Sequence, residues 1–255
     1  MGLVWIGIGI GSALALEPGT VDGLTNEDSG LDRPEFVEFA SGDSPWGIIN
    51  GEEATEDDYP MTGGMLMDAR MSFGGSGTYD IRSFVCSSTL IAPDVVLLAA
   101  HCIDPYAMTY GMGDLEDVDI RWSRQADLSD HDGSTVADWP ADAVPAWDWV
   151  MHTDWDMTAM GMGLSENHDI ALIFLDEPVL DTPHAYLVSA DESTQLQEGV
   201  EVDVVGWGQQ VATGMWEQPP AGSYGYKIQG TSFINELAET EFQVGAVESD
   251  VRKCH

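Results

Sequence analysis

Most of this chain is written in the period of β-strands, short apolar or alternating runs punctuated by Gly, Pro, Asn and Asp. Residues 89–91 (T-L-I) and 95–100 (V-V-L-L-A-A) flank Ala92-Pro93-Asp94, so a β-hairpin is expected that carries His101 to a strand end. From Tyr59-Pro60 to Ser83 the pattern predicts a short strand, a Gly-rich loop over 74–77, and a strand running into Cys86. Residues 170–175 (I-A-L-I-F-L) make a buried-strand run opened by Asn167-His168-Asp169, which puts the Asp169 carboxylate at the strand's mouth. Val202-Asp203-Val204-Val205 is a strand closing on Gly206-Trp207-Gly208, and residues 227–234 and 241–247 alternate as further strands. Residues 103–165 read differently, as solvated acidic loops with runs at Asp114, Glu116, Asp117, Asp119 and at Asp127, Asp130, Asp132, and then a Met/Trp-rich stretch.

The apolar run over residues 3–16 is shorter than the roughly 20 residues that span a bilayer, and Ala13-Leu14-Ala15 has the A-x-A form of a cleavage site. Residues 1–15 are therefore expected to be a signal peptide, although no Lys or Arg precedes the run, and the protein to be secreted, extracellular or periplasmic. Residues 16–47, acidic and containing Gly, Ser and Pro, read as a propeptide or linker. The chain has 255 residues, and 9 Trp, 7 Tyr and 7 Phe can fill its cores. Charge changes the picture most: 45 Asp and Glu stand against 8 Lys and Arg, a formal −37. Such a field repels nucleic acid and anionic membranes, so neither is an expected partner. The 44% hydrophobic content argues against a disordered acidic chain. The composition instead suits a halophilic surface, because at 1 M salt charges are screened over about 3 Å.

His101 stands beside Cys102 at the end of C-S-S-T-L-I-A-P-D-V-V-L-L-A-A-H-C, which begins at Cys86. This string resembles the histidine segment of the chymotrypsin/trypsin-like serine peptidases, and three further segments match in order. Ile48-Ile49-Asn50-Gly51 is similar to the family's mature N-terminus, Asn167-His168-Asp169-Ile170-Ala171-Leu172 to its aspartate segment, and Gly206-Trp207-Gly208 to its Gly-Trp-Gly turn. The resemblance covers about residues 48–255. It implies an all-β fold of two antiparallel Greek-key β-barrels with the active site between them, the second barrel incomplete. Departures are Ser87-Ser88 for the commoner Gly-Gly, Leu98 for Thr or Ser, and Gly47 rather than Arg or Lys before Ile48.

What the resemblance implies chemically is acyl transfer to a serine, with His101 as general base and acid and Asp169 as the carboxylate that orients it. The substrate is then a protein or peptide, and no cofactor is needed. Ile48 is the residue whose amine an activating protease would free, making the chain a zymogen. The hairpin returns Cys86 to Cys102, so these two are expected to form a disulfide, leaving Cys254 over. In the family a cysteine, one variable residue and Gly-Asp-Ser-Gly-Gly-Pro carry the nucleophile, whereas here Cys254 is followed by His255. The chain is thus expected to be a fragment lacking the nucleophilic serine and inactive as it stands. Ser76, in Gly74-Gly75-Ser76-Gly77, precedes the histidine, lacks the family's Asp before Ser, and is not nominated. Arg252, two residues before Cys254, would form the base of the specificity pocket and favour an acidic side chain. The alternative is a non-catalytic trypsin-like binding or regulatory module; a purely structural acidic exoprotein leaves the ordered motifs unexplained. Calcium is the one metal the acidic runs suggest, but their spacing does not fit Asp-x-Asp-x-Asp-Gly. Met157, Met160 and Met162 with His152 form a soft set that would suit copper(I), and are read as packing.

Overall fold

The computed structural model describes residues 13–15, 48, 51–74, 77–109, 111–131, 138–159, 168–210, 220, 222–238 and 241–244. Six strands close into a barrel in the order β3-β4-β5-β8-β7-β6. They are β3 (Thr62–Ser72), β4 (Thr78–Ala92), β5 (Val95–Leu98), β6 (Asp114–Ser123), β7 (Val144–Met151) and β8 (Ala171–Leu175), all paired antiparallel. Closure removes the sheet edges that would otherwise expose unpaired backbone groups. The period-2 rule is plain in β3, where Met65, Met67, Ala69 and Met71 point inward with Leu90, Val96, Leu98, Ile120, Trp122 and Ile173. Gly63 is needed for contact: a Cβ there would stand 2.4 Å from the Trp122 ring.

Two strands lie where loops were expected. The acidic run from Asp114 is β6 and the stretch before His152 is β7. In β6 the residues Leu115, Val118, Ile120 and Trp122 face the core, while Asp114, Glu116 and Asp117 are exposed. A register shift opposite Arg70 and Met71 inserts one residue and puts the first apolar position out of phase with the rest. A second shift between Ala146 and Asp148 does the same in β7, whose inward residues are Val144, Ala146, Trp149 and Met151. In β7 the bulge breaks the alternation that identifies a strand, whereas in β6 it displaces only Leu115 and residues 117–123 keep strict period 2. A smaller correction concerns β5, which ends at Leu98 rather than Ala100. Its partner β8 begins at Ala171, opposite Leu98, so Ala99 has no ladder to join. The chain turns instead into a short 3-10 helix, Ala100–Cys102.

The second sheet is open. Its order is β1-β9-β10-β11, with β2 also on β10: β1 (Ala13–Ala15), β2 (Glu52–Glu53), β9 (Glu201–Gly206), β10 (Ile228–Leu237) and β11 (Phe242–Val244). Val202 and Ile234 are its buried centre, packed by Leu196, Val200, Val204, Phe242 and Val244. Trp207 joins the two units. Its ring packs on Leu66, from the outer face of β3, and on Leu128. Its backbone N–H donates to Ser87 Oγ at 3.0 Å and its indole N–H to the Gln125 carbonyl at 2.9 Å. Ser88 Oγ donates to the Gly63 carbonyl at 3.0 Å, so both serines that replace the commoner glycines carry a hydrogen bond. The chain is nearly all β, a closed six-stranded barrel beside an open sheet. Among the described residues no helix is long and apolar enough to cross a membrane.

Candidate active site

β5 and β8 are neighbours in the barrel, and both reach the same rim, with Leu98 opposite Ala171. Three residues beyond Leu98 stands His101, and two residues before Ala171 stands Asp169. The barrel's register therefore brings an imidazole and a carboxylate together that are 68 residues apart in sequence. His101 Nδ1 lies 2.6 Å from Asp169 Oδ2, and the His101 backbone N–H donates to Asp169 Oδ1 at 2.9 Å. Both carboxylate oxygens are thus engaged by one residue, which fixes the ring's angle as well as its distance. The side chains are 14% and 13% exposed, so the pair works in a partly desolvated setting.

Local structure aims the carboxylate. The Ile170 N–H donates to the His168 carbonyl at 2.7 Å, a tight turn centred on Asp169. His168 accepts a φ of 55° to enter it, a left-handed conformation that histidine adopts more readily than bulky residues. With Nδ1 facing a carboxylate, the proton sits on Nδ1 in the neutral ring and the Nε2 lone pair is free to accept one. Cys102 Sγ lies 3.6 Å from Nε2. That sulfur is bonded to Cys86, as expected, with the Cα atoms 6.2 Å apart. Cys86, His101 and Cys102 cluster closely enough to suggest a metal centre, but the disulfide leaves neither sulfur as a thiolate ligand.

Ile48 is buried, and its side chain packs around Gly51 and Gly230; a Cβ on Gly51 would stand 2.7 Å from Ile48 Cγ2. Arg252 and Cys254 lie outside the described residues, as do Met160 and Met162, while Met157 opens a short 3-10 helix, Met157–Ala159. A polar cavity of about 320 Å³ is lined by Tyr59, Asp203 and Thr231 among others, and neither His101 nor Asp169 lines it.

Asp104, just beyond His101, and Lys227, away from it at the joint between barrel and sheet, give no signal in the sequence. Asp104, buried, caps the short helix α1 (Pro105–Met108), accepting from the Tyr106 N–H at 2.7 Å, and accepts from the Trp155 indole N–H at 2.7 Å. Lys227 is fully buried at the joint between barrel and sheet. Its ammonium donates to the Tyr59 carbonyl at 3.3 Å and to that of Asp58, and sits 5.3 Å from the centre of the Trp207 ring. Burial pushes its pKa down to about 8.

Comparison with known proteins identifies the family. The trypsin family model matches residues 48–254. Among solved structures, the VesB protease of Vibrio cholerae is similar at 18% identity and a TM-score of 0.43, over 74% of this chain. The chain spans 45% of the length of that protein's chain. No curated protein matches it by sequence. A barrel whose rim joins an A-A-H-C histidine to a D-I-A-L aspartate, within a family match that runs through most of the sequence, makes this chain a member of the trypsin family, the chymotrypsin/trypsin-like serine peptidases.

Proposed function

We propose that the chain is the part of a secreted serine endopeptidase that supplies the general base and its orienting carboxylate. The observation that carries this reading is the double engagement of Asp169 by His101, at 2.6 Å to the ring and 2.9 Å to the backbone. In the reaction a serine hydroxyl attacks the scissile carbonyl while His101 Nε2 takes its proton. Asp169 stabilises the imidazolium that forms, and the same proton passes to the leaving amine; water then repeats the sequence on the acyl-enzyme. The family carries its nucleophile in Gly-Asp-Ser-Gly-Gly, a string that residues 1–255 do not contain. Residues 1–15 are a signal peptide in this proposal, so its removal takes β1 from the second sheet and leaves β9 at the edge; 16–47 are a propeptide or linker, and 48–255 the peptidase domain. An activating protease frees the Ile48 amine, and substrates are proteins or peptides. The formal charge of −37 supports a role away from nucleic acid and anionic membranes.

The test is labelling by a serine-directed phosphonate. Residues 1–255 alone should neither label nor turn over peptide, since His101 and Asp169 without nucleophile or oxyanion donors have no acyl-enzyme to form. A polypeptide that continues into Gly-Asp-Ser-Gly-Gly and begins at Ile48 should label at that serine, and His101→Ala should lower its rate by several orders of magnitude. Labelling of residues 1–255 would mean the nucleophile is elsewhere. Failure of the continued, Ile48-processed chain to label would assign the fold to a non-catalytic binding or regulatory module.

A further inference from the structure

The chain leaves His101 in one direction and approaches Asp169 from another, and outside the barrel the two segments meet again. Beyond His101 come Cys102, Ile103 and Asp104, whose Oδ1 accepts from the Tyr106 and Ala107 N–H groups at 2.7 and 3.4 Å and so starts helix α1. Its second oxygen, Oδ2, accepts from Trp155 Nε1–H at 2.7 Å. Trp155 in turn donates its backbone N–H to the His152 carbonyl at 3.1 Å, and His152 donates its own to the Ile170 carbonyl at 2.8 Å. Ile170 follows Asp169 directly. The His152 and His168 rings also meet, centroids 4.7 Å apart, on the other side of Asp169. A closed circuit results, His101 to Asp104, across to Trp155, back through His152 to Ile170, and from Asp169 to His101 again.

We infer that Asp104 and Trp155 are positioning residues for the His101–Asp169 pair, a strut that sets the spacing of imidazole and carboxylate from outside the barrel. The inference rests on the proposed role of that pair. The link runs through a buried carboxylate whose two oxygens are both engaged, so it tolerates neither loss of the indole N–H nor loss of the charge. The barrel register alone fixes Leu98 against Ala171, while the residues carrying the pair lie beyond the last ladder bond. There the strut takes over.

The experiment reads the His101 Nδ1 proton by NMR in the full chain at high salt, identified as the far-downfield resonance that Asp169→Asn abolishes. Trp155→Phe keeps an aromatic ring and removes the donor. Asp104→Asn keeps an oxygen for the helix cap and sets an amide against the indole N–H. Each should move the resonance and make its exchange with solvent at least about tenfold faster, the scale expected for losing one charge-assisted hydrogen bond. The double variant should be no worse than either single one, because both break the same link. Ile234→Val, which loosens the second sheet's core, should leave the resonance where it is. An unchanged resonance and exchange rate in both variants, or an equal change in Ile234→Val, would overturn the strut while leaving the pair's role intact. Absence from the wild-type chain of any downfield proton that responds to Asp169→Asn would overturn both the proposed pair and the strut.

Discussion

Lys227 makes a buried charge measurable. Its side chain is fully buried, and burial holds its pKa at about 8, against 10.5 for a solvated lysine. Below about pH 8 the folded and unfolded chains both carry the proton, so the cost of desolvating the ammonium is present in full and does not vary with pH. Between the folded pKa of about 8 and the unfolded value of 10.5 the unfolded chain binds more protons, and stability therefore rises with pH. At 1.36 kcal/mol per pH unit the whole window amounts to about 3 kcal/mol, of which about 2 kcal/mol is reached near pH 9.5. Lys227→Met removes the titrating group at nearly constant length. Comparing variant with wild type cancels the tyrosines and every other shared group. Urea unfolding of both proteins in molar NaCl should show the wild type gaining about 2 kcal/mol on the variant between about pH 7 and pH 9.5. The bonds to the Asp58 and Tyr59 carbonyls set the offset between the two curves but not their difference in slope. Curves that stay parallel within about 0.5 kcal/mol would refute the desolvated ammonium, and with it the account of how Lys227 sits between Trp207 and the segment at Tyr59.

Replacing Cys86 and Cys102 together by Ala should lower the unfolding free energy by about 3 kcal/mol, the loop-closure scale for a cross-link spanning 16 residues; non-reducing peptide mapping that finds both thiols free in the wild type would contradict the bond. Gly63→Ala sets a Cβ 2.4 Å from the Trp122 ring and 2.7 Å from the Ser123 carbonyl oxygen, and should cost about 1–3 kcal/mol by overpacking, read by urea unfolding. The melting temperature should climb markedly from dilute buffer to molar NaCl, because a formal charge of −37 repels itself until salt screens it. A flat salt series would remove the halophilic reading of the surface.

The elements that could be foreseen are those whose information is local. Cys86 to Cys102, Asp169 with its strand, and Gly206-Trp207-Gly208 are continuous strings in which strand period and turn adjoin; the first two meet at the barrel rim, and the third closes β9 of the open sheet. β7 is hidden because one inserted residue breaks the alternation by which a strand is known, while β6 alternates cleanly over 117–123 and is masked by the acids of its exposed face. Asp104 looks like one more acid in an acidic chain; besides capping α1 it bonds Trp155, 51 residues away, a contact no local string carries. Lys227 is hidden for the opposite reason, since a lysine ordinarily marks the surface and this one occupies a core position. Ser87 and Ser88 register in the sequence merely as departures from a pattern, yet each oxygen has a partner that glycine would lack.

Closure of the barrel separates what the chain can vary from what it must keep. The distance from His101 to Asp169 is measured across two adjacent strands, β5 and β8, and not along the backbone that connects them. The segment between β6 and β7 does not enter that register, because the ladders that carry it are β5 on β8 and β8 on β7. A single residue inserted in β5 or β8 would instead displace one partner by about 3.3 Å and turn the following side chains to the opposite face. The molecule thus has a short ruler and a long line tied to the same two points, and the line is open to change only where it carries neither a barrel strand nor the Asp104–Trp155 link.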